Sequence, residues 1–205
     1  MNTTPLIHIV EDDESLRTAL LRLLASAGFE ARGYSSTGEF LLHRPPERRG
    51  CVLLDVRMPG PSGLDLQDAM HEHAINLPII FMTAHGDVSS SVRAMKAGAV
   101  DFLEKPIARD TLLGALARAL ASDLEVRKGQ HVAHELRARL ALLTTRERDV
   151  FDRVAAGKSN KMIGDELAIA ERTVKVHRAQ MMAKLGVGSS AELGALAEQL
   201  RRLHD

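Results

Sequence analysis

Cysteine is almost missing from this chain of 205 residues: Cys51 stands alone, which excludes a disulfide framework and a thiolate metal cluster. It lies in the apolar stretch Cys51-Val52-Leu53-Leu54 and reads as a small core hydrophobe. Long apolar runs are missing too, and no segment approaches the roughly 18 residues that a membrane span needs. The first residues, Met1-Asn2-Thr3-Thr4-Pro5, lack a charged stretch followed by an apolar one, so a soluble, cytoplasmic protein without membrane contact is expected. Charge of one sign is not in excess either. Lys+Arg and Asp+Glu both count 27, so total charge says nothing about partners. Regional charge says slightly more, with 12 basic against 15 acidic residues in 1–120 and 11 against 9 in 141–205. That asymmetry is a weak pointer to nucleic acid for the second part.

What the chain does have is a set of polar residues that follow or close short apolar runs. Glu11-Asp12-Asp13 follows Ile7-His8-Ile9-Val10, Asp55 follows Cys51-Val52-Leu53-Leu54, Thr83 follows Ile79-Ile80-Phe81-Met82, and Lys105 comes after Phe102-Leu103. Apolar runs bounded by turn residues read as buried parallel strands, and helical periodicities lie between them. Strands are expected near 6–10, 29–34, up to Asp55, 78–83 and 100–103, with helices near 15–27, 37–42, 64–73, 88–97 and 108–120. Strands and helices in alternation imply a doubly wound α/β fold with a five-stranded parallel sheet. In such a sheet the residues just past the carboxyl ends of the strands share one crevice. Acids, a hydroxyl and an ammonium therefore converge at one edge, as a phosphoryl-transfer site requires: Asp55 can attack phosphorus, Glu11 and Asp12 can join it in holding Mg²⁺, and Lys105 and Thr83 can take phosphoryl oxygens.

Residues 121–140 read as a partly helical linker, with a loose helical period interrupted by Gly129 and no proline. His131 and His134 within it read as solvent-facing rather than as a metal site. From 141 to 205 the pattern is all-α, with four helices. Thr144 and Glu147 fit a capping box, the first helix stops at Gly157, and a helix near 160–167 is joined by Ala168-Ile169-Ala170 to one near 171–185. A fourth starts near Ser190. Two short helices joined by a tight turn, the second rich in basic residues, suggest a helix-turn-helix.

Residues 5–120 resemble a response-regulator receiver domain of the CheY/flavodoxin-like fold, through Ile9-Val10-Glu11-Asp12-Asp13, Leu54-Asp55-Val56-Arg57-Met58-Pro59, Phe81-Met82-Thr83-Ala84 and Asp101-Phe102-Leu103-Glu104-Lys105-Pro106. The resemblance implies that Asp55 is the phosphoacceptor, and that Glu11, Asp12, Asp55 and the Arg57 carbonyl hold Mg²⁺. It also implies a cis Lys105–Pro106 peptide, and a switch in which Thr83 moves toward the phosphoryl group while Phe102 turns into the space it leaves. Glu11 stands where Asp is commoner, and Asp13 is expected to cap the following helix. The stretch from His85-Gly86-Asp87-Val88 to Phe102 is similar to the FixJ subgroup, which places Val92 and Lys96 at a phosphorylation-driven homodimer interface.

Residues 141–200 resemble the LuxR/FixJ-type DNA-binding domain, through Leu143-Thr144-Thr145-Arg146-Glu147, Gly157-Lys158-Ser159-Asn160-Lys161 and Arg172-Thr173-Val174-Lys175-Val176-His177. Helical spacing puts Val174, His177, Met181 and Leu185 on a buried stripe. Lys175, Val176 and Ala179 face the other way, toward base edges, and Arg172, Thr173, Arg178 and Lys184 suit phosphates. Ala170 stands where the family usually has a Ser N-cap, and Gly164 where it usually has Ala.

The whole reads as a phosphorylation-controlled transcriptional regulator, not an enzyme. Its expected partners are a sensor histidine kinase, promoter double-stranded DNA, RNA polymerase and a second copy of itself. A haloacid-dehalogenase-type phosphohydrolase would need an acid two residues after the nucleophile, where this chain has Arg57. A regulator acting only by protein contact, with its helical part as a docking module, is the other alternative, and Lys175 at the exposed centre of the last basic helix argues against it.

Overall fold

The computed structural model describes residues 4–44, 49–84 and 88–202. The chain divides into two compact units, Met1–Arg127 and Lys128–Asp205. In the first, β1 (Leu6–Val10), β2 (Glu30–Tyr34), β3 (Gly50–Asp55), β4 (Ile79–Thr83) and β5 (Asp101–Glu104) form one parallel sheet in the order β2-β1-β3-β4-β5. Helices α1 (Glu14–Ser26), α2 (Thr37–His43), α3 (Gly63–Glu72) and α4 (Val88–Lys96) connect the strands, and α5 (Arg109–Ala141) follows.

Alternation along the buried strands assigns side chains to two cores. Ile7, Ile9, Cys51, Leu53, Ile80, Met82 and Leu103 face α1 and the first part of α5, meeting Leu20, Leu24, Leu112 and Leu116. Val10, Val52, Leu54 and Phe81 face the other way, toward Phe40 of α2, Leu64 and Met70 of α3, and Ala94 of α4. Burial accounts for Cys51 as well: it pushes the thiol up to about 12, so the side chain is an inert core group. Because β1 pairs with β2 on one side and β3 on the other, the strand order reverses between β1 and β3, which opens a crevice at their carboxyl ends.

The second unit is helical: the last turns of α5, then α6 (Thr145–Ala155), α7 (Asn160–Leu167), α8 (Glu171–Leu185) and α9 (Ser190–Arg202). Leu136, Leu140, Val150, Phe151, Ile163, Val174, Met181, Leu185 and Leu193 make its core. The interruption expected at Gly129 is absent: residues 121–140 continue α5, which runs unbroken to Ala141. A helical glycine costs about 1 kcal/mol. Against that cost stand the i,i+4 pairs Asp123–Arg127 at 2.8 Å and His131–Glu135 at 3.3 Å, and a segment without proline. Among the described residues no helix is long and apolar enough to cross a membrane.

Candidate functional site: an acidic crevice and an exposed basic helix

The crevice is built from strand ends. β1 delivers Glu11 and Asp12, β3 ends at Asp55, β4 ends at Thr83, and Lys105 follows β5. Glu11, Asp55 and Thr83 are buried, whereas Asp12 is exposed. Carboxylate oxygens of Glu11, Asp12 and Asp55 all lie within 4.8 Å of one another, so the three could hold one cation. Oxygen donors of this kind suit a hard divalent ion such as Mg²⁺. Lys105 Nζ donates to Glu11 Oε2 at 2.7 Å and to Asp55 Oδ2 at 2.9 Å. The Arg57 N–H donates to Asp55 Oδ1 at 3.3 Å. Lys105–Pro106 is cis, and the Lys105 N–H donates to the Thr83 carbonyl at 2.7 Å. Asp13 turns away from the cluster and caps α1, accepting from the N–H groups of Ser15 and Leu16.

Charge is unevenly matched in this crevice. Burial, followed by the nearby Asp55 charge, pushes the Glu11 carboxyl above its usual range, with the Lys105 hydrogen bond working against that rise. Burial alone would lower Lys105, but its hydrogen bonds to Glu11 and Asp55 outweigh burial and hold the ammonium above its usual value. One cation thus serves two carboxylates, with a third nearby.

Beside the crevice, Phe102 is half-buried against Phe81, ring centroids 6.0 Å apart. Val88, Val92, Met95 and Lys96 are exposed on α4. The buried Gln67 of α3 steadies that helix by donating to the carbonyls of Ala94 and Ala97, at 3.3 and 3.1 Å. Residues 85–87, which belong to the stretch similar to the FixJ subgroup, lie outside the described residues.

In the helical unit, Val174, Met181 and Leu185 are fully buried and His177 is half-buried, so the expected stripe packs inward. Lys175 (64% exposed), Val176 (54%), Arg172 and Ala179 point outward, and Lys175 pairs with Glu171 at 3.1 Å. Thr173 is half-buried. Two residues expected at phosphates make hydrogen bonds within the unit. Arg178 donates to Asn160 Oδ1 at 3.0 Å and to Ser190 Oγ at 2.6 Å, tying α7 and α9 to α8. Lys184 donates to Glu147 Oε2 at 2.6 Å. No side chain caps α8 at Ala170. Gly164 has a reason in space: a Cβ there would sit 2.8 Å from the Ile169 carbonyl, so the turn closes directly on it.

Residues 7–117 match the response regulator receiver domain and residues 141–197 match the bacterial regulatory proteins of the luxR family. The chain belongs to the LuxR-type response regulators. It is 42% identical to the transcriptional regulatory protein FixJ of Bradyrhizobium diazoefficiens over 205 residues, all of both chains. Nodulation protein W of the same organism is 41% identical over 199 residues, 97% of this chain and 88% of that one. Among solved structures, the response regulator StyR superposes with a TM-score of 0.87 at 45% identity, covering 96% of this chain and all of the other. The protein is therefore a transcriptional response regulator, in a family where control by phosphorylation is typical.

Sequence reasoning missed three parts of this regulator: Gln67 beneath α4, the pairing of the buried Glu147 with Lys184, and Arg17, whose guanidinium reaches the carbonyls of Glu11 and Asp12. Only Glu147 carried a local signal, its place in the capping box. Nothing along the chain points from Gln67 to α4 or from Lys184 to α6.

Proposed function

We propose that this response regulator receives a phosphoryl group on Asp55 from the phosphohistidine of a sensor kinase, and that the modification governs binding of promoter DNA by α8. An Asp55 carboxylate oxygen attacks phosphorus as the N–P bond to the kinase histidine breaks, leaving an acyl phosphate on Asp55. Glu11, Asp12, Asp55 and the Arg57 carbonyl would hold Mg²⁺, which when bound offsets negative charge on the phosphoryl oxygens. Lys105 neutralises one phosphoryl oxygen and the Thr83 hydroxyl donates to another. Thr83 and Phe102 then rearrange, and the altered α4–β5 surface, with Val92 and Lys96, pairs two copies.

In the other unit, Lys175, Val176 and Ala179 meet base edges, and Arg172 and Thr173 meet phosphates. Arg178 and Lys184 hold the helices that present them. The protein acts in the cytoplasm as a regulator rather than an enzyme, and contacts RNA polymerase at its promoters.

The observation carrying this reading is Lys105 bound to both Glu11 and Asp55 at the reversal of strand order. In the test, the full chain is incubated with a radiolabelled low-molecular-weight acyl phosphate and Mg²⁺. Label is expected on the wild type and none on Asp55→Asn, with light scattering showing a dimer only for the labelled protein. Label retained by Asp55→Asn would reject Asp55 as the acceptor.

A further inference from the structure

Two acids of the crevice, Glu11 and Asp12, stand on a loop whose backbone is held from outside the crevice. The Arg17 guanidinium on α1 donates from one nitrogen, Nη1, to the carbonyls of Glu11 (2.6 Å) and Asp12 (3.2 Å). The Glu11 N–H donates to the Tyr34 carbonyl of β2 at 3.1 Å. Peptide planes on both sides of Asp12 are thereby fixed, and with them the directions in which the Glu11 and Asp12 carboxylates leave the chain. The path of Arg17 is itself prepared. Its stem lies over Gly33 of β2, where a Cβ would come within 3.0 Å of both Arg17 Cγ and Cδ and 3.3 Å of Leu21 Cδ1. Gly33 does not have a positive φ, so its lack of a side chain serves space and not backbone conformation.

We propose that Arg17, laid in the groove over Gly33, is the positioning residue of the acidic crevice, aiming Glu11 and Asp12 for a divalent cation by clamping their carbonyls. The proposal rests on reading the crevice as the cation-assisted phosphoryl site. Arg17 touches no carboxylate of the cluster and acts only through the backbone. Partners that orient metal ligands in this way typically matter by about 10–100-fold in metal affinity.

The test is calorimetric titration of the full-length protein with Mg²⁺ alone, with the thermal midpoint of each variant recorded beside it. Arg17→Met keeps the stem and removes the donors, and is expected to weaken Mg²⁺ about tenfold. Arg17→Lys restores a donor and should recover most of that loss. Gly33→Ala should weaken Mg²⁺ severalfold in the wild type but cause no further loss in an Arg17→Ala background, where there is no stem to displace. If Arg17→Met lowers the thermal midpoint yet binds Mg²⁺ as the wild type does, Arg17 is merely a packing residue and the proposal falls. An undiminished Gly33→Ala effect in the Arg17→Ala background also overturns it. Wild type and Asp55→Asn binding Mg²⁺ with equal affinity would instead remove the reading of the crevice itself, and the proposal with it.

Discussion

Two lysines of this molecule make nearly the same contact and do opposite work. Lys105 Nζ lies 2.7 Å from the carboxylate of Glu11, and Lys184 Nζ lies 2.6 Å from that of Glu147. Both glutamates are buried, 1% and 2% exposed. Glu11, however, must share its lysine with Asp55, and burial and the Asp55 charge leave its carboxyl raised. Glu147 has Lys184 to itself and also accepts from the Thr144 N–H at 2.7 Å, and these hydrogen bonds hold it below the usual carboxylate range. The first arrangement is short of positive charge and open to a cation. The second is complete, and it fastens α8 to the start of α6.

The strongest test of that contrast removes the shared lysine. Lys105→Met leaves Glu11 and Asp55 facing each other uncompensated, and breaking a buried pair of this kind costs about 3 kcal/mol. Urea unfolding without metal should show that loss, and millimolar Mg²⁺ should reverse most of it by binding only the folded crevice. An equal loss with and without Mg²⁺ would mean that charge crowding does not describe the crevice. In the helical unit, Thr144→Ala should cost about 1 kcal/mol through the lost cap, whether or not Mg²⁺ is present.

Acid separates the two buried glutamates by sign, while Glu39 and Asp65 of the first unit are lowered as Glu147 is. Glu147, and Glu166 through its contact with Lys158, titrate below the usual carboxylate range. Such groups contribute stability above the unfolded-state pKa and lose it as pH falls through the folded-state pKa. Glu11 is raised, so its own contribution runs the other way, favouring the folded state as pH falls. Hydrogen exchange of the full chain between about pH 6 and about pH 3 should therefore show the Glu147 end of α6 losing protection before the Glu11 end of β1. Simultaneous loss would break the contrast.

Much of the first unit was legible because its signals are local. Four of the five strands, β1, β3, β4 and β5, carry an apolar run with a crevice residue at or just past its end, and such runs separated by helical periods leave few topologies. The capping box at Thr144 and Glu147 is equally local, and both of its hydrogen bonds form. What escaped depends on partners distant in sequence. Lys184 and Arg178 look like phosphate contacts when helix α8 is read alone, and only packing brings Glu147, Asn160 and Ser190 to them. Gly129 looks like a break because its cost is written at one position, while the i,i+4 contacts beside it depend on spacing along the whole helix. Gly164 looks like a flaw until the Ile169 carbonyl closes on it.

The smallest stability effect tests the most about function. Lys175 is exposed and, among the described residues, pairs with Glu171 on its own helix, an arrangement worth about 0.5 kcal/mol or less. Lys175→Ala should accordingly unfold almost as the wild type does. If Lys175 meets a base edge, the same change should lower the preference for the promoter site over unrelated DNA by about 1–3 kcal/mol. Lys184→Ala should do the reverse, destabilising the helical unit while leaving the ratio of specific to non-specific affinity unchanged at fixed salt. Fluorescence anisotropy with labelled duplexes of both kinds measures that ratio directly. A variant of Lys184 that altered discrimination without altering stability would return that lysine to the DNA face and remove the division of labour between it and Lys175.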